Sequence, residues 1–330
     1  MKFALKKSVS RSGLSAALSL AVLSVVPSLA QADALAQSFL NITNFNIGFN
    51  PANANFTASP PSVGINSSAT FAGAAGTPVT TATSSRTVAG PNSAQYNQNT
   101  KIASPVIPQF NYSGGFASQT GSSLPGGGTG GAAALTNAVV SLVPGRAAPN
   151  STSGANQIAQ QFTVTVASGT GFTVGFNADL FMRSFLSAGP GAFLGGSALS
   201  KAVYSLTVSQ QTGGSFNQIA LWDPTNAVGT NGGFSCEAGT GITACSATSA
   251  FRLNRTVDAF NNNENNVFSQ TGLFNSSFSL AQGTYRFQIV HDSQASAALL
   301  IPEPGTLALV GLSLVGLAAV GRRRAMRQTA

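Results

Sequence analysis

Between residues 158 and 290 apolar side chains return at every second position in segment after segment. Phe162, Val164 and Val166 make one such run, Phe172, Val174 and Phe176 the next. Tyr204, Leu206 and Val208 make a third, and Tyr285, Phe287 and Ile289 a fourth. A strand sends successive side chains to opposite faces, whereas a helix needs apolar residues three or four apart. Turn chemistry separates the runs, at Asp223-Pro224 and at Ala281-Gln282-Gly283. Phe45, Ile47 and Phe49 repeat the pattern within residues 37–50. No amphipathic helix interrupts them. The expectation is an all-β body over residues 33–300, built as an antiparallel β-sandwich of jelly-roll-like form.

Residues 51–157 have a different character. They are rich in Ala, Gly, Ser, Thr, Pro and Asn, and read as long loops with some strand near 100–112 and 137–143. The Gly-rich tract at 122–134 is a loop and not a phosphate cradle, since no Lys-Ser/Thr follows it and no strand–helix context frames it.

Both ends carry apolar runs flanked by positive charge. Lys2, Lys6, Lys7 and Arg11 precede an apolar stretch from Leu14 to Val26, then Pro27 and small residues suited to cleavage. That order reads as a secretory signal peptide over residues 1–32, with an uncleaved anchor as the alternative. Near the other end, Leu307 to Val320 holds only Leu, Ala, Val, Gly and one Ser. Sixteen helical residues would extend about 24 Å, a little short of a hydrocarbon core of about 30 Å. Taken alone the run is a marginal transmembrane helix or a buried one. Arg322, Arg323, Arg324 and Arg327 behind it form a positive stop, which favours a membrane helix over 305–321 with the C-terminus inside.

Pro302-Glu303-Pro304, the Gly- and Leu-rich run and the arginine cluster occur in that order at the extreme C-terminus. This tripartite tail, residues 301–330, resembles a PEP-CTERM sorting signal. The resemblance implies recognition by an exosortase of a Gram-negative bacterium that makes extracellular polysaccharide. It implies export through the secretion translocon, anchoring by the tail helix, and processing near Pro302–Pro304. The two prolines keep that segment extended just above the membrane. A plain tail anchor is the alternative.

The net charge of +8 does not point to nucleic acid. Four cations lie in the leader and four in the tail. The eight between them (Arg86, Lys101, Arg146, Arg183, Lys201, Arg252, Arg255, Arg286) match the eight acids of the chain. No basic patch is left to neutralise phosphates. The neutral, amide- and hydroxyl-rich body suits an exported protein in a polysaccharide matrix. In such a protein the two cysteines, Cys236 and Cys245, read as a disulfide, with Gly239-Thr240-Gly241 at a hairpin tip between them.

Little in the body suggests catalysis. No Asp or Glu occurs between Asp33 and Asp179, and the later acids show no selective spacing. Asp223 with Asp258 is the most obvious pair for glycoside hydrolysis, which needs carboxylates about 5–10 Å apart. His291 is the sole histidine, and as strand neighbours it and Asp292 would face opposite ways. No cofactor and no metal-ligand spacing is apparent, although calcium held by scattered Asp and Asn stays open. Trp222, the sole tryptophan, is either a core aromatic or an exposed platform for a sugar ring. The loop at 261–266 is either a solvated turn or a sugar contact. The expected function is a non-enzymatic, surface-sorted protein of the extracellular polysaccharide matrix. The alternatives are a carbohydrate-binding module and, more weakly, a secreted glycan hydrolase.

Overall fold

The computed structural model describes residues 33–50, 52–71, 79–80, 101, 112–120, 132–142, 151–187, 196–224, 233–237, 239–260, 264–299, and 311, 313, 314 and 316. The expected signal peptide, most of the Gly-rich tract and nearly all of the tail lie outside them. Among the described residues there are fourteen strands in two antiparallel sheets.

The first sheet runs β11 (Ile242–Ser249), β13 (Glu264–Leu280), β7 (Thr170–Leu186), β1 (Ala34–Phe49), β5 (Ala132–Leu142), β4 (Tyr112–Thr120). The second runs β10 (Phe234–Cys236), β9 (Ser215–Trp222), β8 (Gly196–Thr212), β14 (Gly283–Leu299), β6 (Ser151–Val166), β2 (Ala54–Phe71), β3 (Val79–Thr80), and β12 (Arg255–Phe260) also pairs with β8. The inward faces of both sheets share one core, so the body is a sandwich, with more strands than the eight of a jelly roll.

The expectation of long loops over 51–157 is corrected by β2, β4 and the first half of β6, whereas β5 covers most of the strand expected near 137–143 and begins at Ala132. In β2, β4 and the first half of β6 apolar residues are few, so no alternation marks them. In β2 the register to β6 shifts between Thr57 and Ser62, which is where Pro60 and Pro61 fall. Proline has no N–H to give a ladder, and a bulge accommodates it.

The core changes chemistry along the strands. At one end Phe172, Phe176, Tyr204, Trp222, Phe274, Phe278 and Phe287 fill it, with Phe176 and Tyr204 ring centroids 4.7 Å apart across the two sheets. At the other end it is built of Ala34, Ala36, Ala138, Ala198, Ala259, Ala295 and Ala297, with Val140, Leu142 and Leu186. A polar band separates the two. There Thr136 Oγ1 lies 2.7 Å from Ser293 Oγ and 3.0 Å from His291 Nε2, and Ser184 Oγ donates to the Val257 carbonyl at 2.7 Å. Ser38 Oγ donates to the Lys201 carbonyl at 2.7 Å. Small side chains here let one sheet approach the backbone of the other, and the buried hydroxyls are satisfied across the gap.

Two devices close the edges. Cys236 ends β10 on one edge of the second sheet, Cys245 lies in β11 on one edge of the first, and the two form a disulfide. The bond therefore staples the sheets together, and the hairpin expected between the cysteines is absent because each strand pairs elsewhere. Replacing both by serine is expected to lower stability by about 2–3 kcal/mol. Urea midpoints of the oxidised wild type and the double variant measure it, and coincident midpoints would contradict it.

The second device is Asn254. Along one edge of β8, β12 pairs with Ser197–Ala202 and β9 with Leu206–Thr212, leaving a gap between. Asn254 fills it by accepting from the Tyr204 N–H at 2.5 Å and donating to the Tyr204 carbonyl at 2.8 Å, and its amide also donates to Asp223. Asn254→Ala leaves both backbone groups unpaired and should cost about 2–3 kcal/mol. A loss below about 0.5 kcal/mol on urea unfolding would show that the gap closes without the amide.

Candidate functional site

Alternation fixes what the outside of the first sheet presents. In β1 the inward residues are Leu40 and Ile42, then Phe45 and Ile47, because a bulge at Thr43–Asn46 changes the parity. Asn44 takes a left-handed φ of 55° there, a conformation asparagine tolerates better than most residues. The bulge turns Asn46 and Gly48 outward. In β7 Phe172 and Phe176 point in and Thr173, Gly175 and Asn177 point out. In β13 Phe274 and Phe278 point in and Leu273, Asn275 and Ser277 point out.

Register aligns these outward positions into rows across four strands. One row is Asn46, Gly175, Asn275 and Thr248, and the next is Gly48, Thr173, Ser277 and Ser246. All of them but Gly48 line an open depression of about 480 Å³. Gly175 forms its floor, and the Asn275 amide lies across it, with Oδ1 2.8 Å from where a Cβ would stand. Ser246 and Ser277 hydrogen-bond each other at 2.7 Å. The amides of Asn46, Asn177 and Asn275 bond no other described residue, so their donors and acceptors face solvent. No lining residue is charged.

The same sheet is closed on its outside at the far end. Leu35, Gln37, Phe39, Asn137, Val139, Phe181 and Arg183 are all buried there although they alternate with inward residues. Lys101 lies over the Phe39 ring at 5.2 Å and pairs with Asp179. The open polar face is thus confined to the end that carries the aromatic core.

The residues expected to carry chemistry are scattered. Trp222 is fully buried, with ring centroids 5.6 Å from Phe176 and 5.9 Å from Tyr204, so it is a core residue and not an exposed platform for a sugar ring. Asp258 is exposed on β12 opposite Leu199, while Asp223 follows Trp222, which stands opposite Leu206 on β8. At about 3.3 Å per residue the two acids are about 20 Å apart, too far to act as a glycosidase pair. Burial raises the Asp223 carboxyl above its usual range, and the Asn254 hydrogen bond partly offsets this. His291 points into the core, whereas Asp292 is bonded by Gln294 at 2.6 Å on the opposite face. Among the described residues no three His, Cys, Asp or Glu gather as a metal site.

Pro302, Glu303, Pro304, Arg322, Arg323, Arg324 and Arg327 lie outside the described residues. Gly311, Ser313, Leu314 and Gly316 have helical backbone, and all four are exposed. Among the described residues no helix is long and apolar enough to cross a membrane, which says nothing of strands.

The polar face was missed because only the apolar half of each alternation was read. The signal was present as Phe–Asn neighbours in "NFNIGF", "FTVGFN" and "LFNSSF", where the intervening positions hold Asn, Ser, Thr and Gly without a charge.

An all-β sandwich with a neutral polar face, followed in the sequence by the C-terminal tail, is the class of protein these features define. Residues 300–324 match the family model of the PEP-CTERM protein-sorting motif. The motif marks a protein sorted by an exosortase and implies an exported, membrane-anchored precursor in a Gram-negative bacterium. No curated protein and no solved structure matches the chain.

Proposed function

We propose that this chain is a non-enzymatic component of an extracellular polysaccharide matrix, delivered to the cell surface by its tail. The sorting motif at residues 300–324 carries the proposal. Residues 1–32 direct export through the translocon and are removed. The helix over 305–321 then holds the precursor in the membrane, with the arginines at 322–324 and 327 on the inner side. An exosortase acts near Pro302–Pro304, and the sandwich leaves the membrane. Two features of the body support a structural or binding role over a hydrolytic one: the separation of Asp223 from Asp258, and a neutral surface that hydrogen-bonds without strong charge.

The test is delivery. Pro302→Ala with Pro304→Ala, expressed in the producing cell, should leave the protein in the inner-membrane fraction, while wild type reaches the surface or medium. Equal release of both would remove the motif from the mechanism.

A further inference from the structure

We infer that the outer face of the first sheet, centred on Gly175, binds a segment of a neutral polysaccharide chain. Elimination and fit both lead there. An anion would find no cation in the lining and a cation no carboxylate, so either would lose water without gaining a counter-charge. An apolar ligand would find little exposed apolar side chain beyond Leu273, because Val174, Phe176 and Ala247, which also border the depression, are buried. The phenylalanines of β1, β7 and β13 near the depression are turned to the core, so stacking on a ring is not the mode of binding.

What the face offers is a set of neutral donors and acceptors. Asn46, Asn177 and Asn275 each present an amide that bonds no other described residue, and an amide supplies two donors and one acceptor oxygen. Asn46 and Asn275 stand on either side of β7, two strand spacings or about 10 Å apart. A ligand that meets both needs hydroxyls spread along its length and no charge, and a neutral glycan has that chemistry. The depression, at about 480 Å³, has room for an oligosaccharide segment.

Hydrogen bonds exchanged with water at an open surface add little each, so a single site binds weakly. A repetitive polymer offers many copies of its ligand, and many proteins held in one matrix gain by multivalency. The site's location rests on geometry alone, whereas its use in a matrix rests on the function proposed above.

The experiment is affinity electrophoresis of the full chain in mild detergent, through gels containing dextran, the neutral polysaccharide of the producing cell, or polygalacturonate. Retardation is expected in a neutral gel and not in polygalacturonate. Asn46→Ala with Asn275→Ala should weaken it at least tenfold while the urea midpoint stays at the wild-type value. Absence of retardation in both neutral gels, preference for polygalacturonate, or undiminished binding by the folded double variant would each overturn the inference. The mass of the protein from producing cells reads the sorting proposal separately. Processed protein without glycan binding sinks this inference alone, and glycan binding without processing sinks only the sorting proposal.

Discussion

Trp222→Ala will lose about 3–5 kcal/mol of the body's stability, the range found when a large buried aromatic is cut to a methyl. The indole is fully buried and touches rings from both sheets: Phe176 on the first, Tyr204 and Phe234 on the second. Its loss opens a cavity whose walls are long, stiff strands that cannot collapse into it. Trp222→Phe should lose less, because it keeps part of the apolar volume. Urea unfolding of the two variants decides the matter. If Trp222→Ala costs under about 1 kcal/mol, the aromatic cluster is not the main store of stability.

Acid will weaken the fold through His291. Burial holds its imidazole down to a pKa of about 3, and the Leu40 carbonyl, 3.1 Å from Nε2, opposes this only in part. Because a carbonyl only accepts, the neutral ring carries its proton on Nε2. The unfolded chain takes up a proton near pH 6.5 and the folded one only near pH 3. This contribution to stability is therefore complete above about pH 6.5 and is lost as pH falls towards 3, by an amount on the order of a few kcal/mol. Asp33, Asp223 and Asp292 have raised pKa values and act in the opposite sense, adding stability as pH falls. Comparison with His291→Gln separates the two, since both proteins share the carboxylates. The stability difference between them should shift by more than 1 kcal/mol between pH 7 and pH 4. A constant difference would contradict the assignment.

β7, β8, β14 and the second half of β6 were legible because their inward positions are Phe, Val, Leu, Ile and Tyr at period two, whereas the short strands β10, β11 and β12 carry no such run. β2 and the first half of β6 were less legible. In "ANFTASPPSVGINSSATF" the chain extends through serines, asparagines and two prolines, and pairing with β6 holds it where its own residues give no alternation. The alanine end of the core was hidden for a related reason, since alanine is as common in loops as in tightly spaced sheets. Asn254 could not be found from sequence at all, because its role depends on where β12 stops and β9 starts on β8. The polar face was half legible: its asparagines are visible, but only the register that aligns Asn46, Gly175 and Asn275 makes them one surface.

The most direct test of the account is the intact mass of the protein from cells with and without exosortase activity. The account predicts that the mature mass lacks about the first 32 residues and the segment beyond about Pro304, the C-terminal loss occurring only when the exosortase is active. A mass that keeps Arg322–Arg327 in both strains would make the tail a plain anchor and contradict the sorting mechanism.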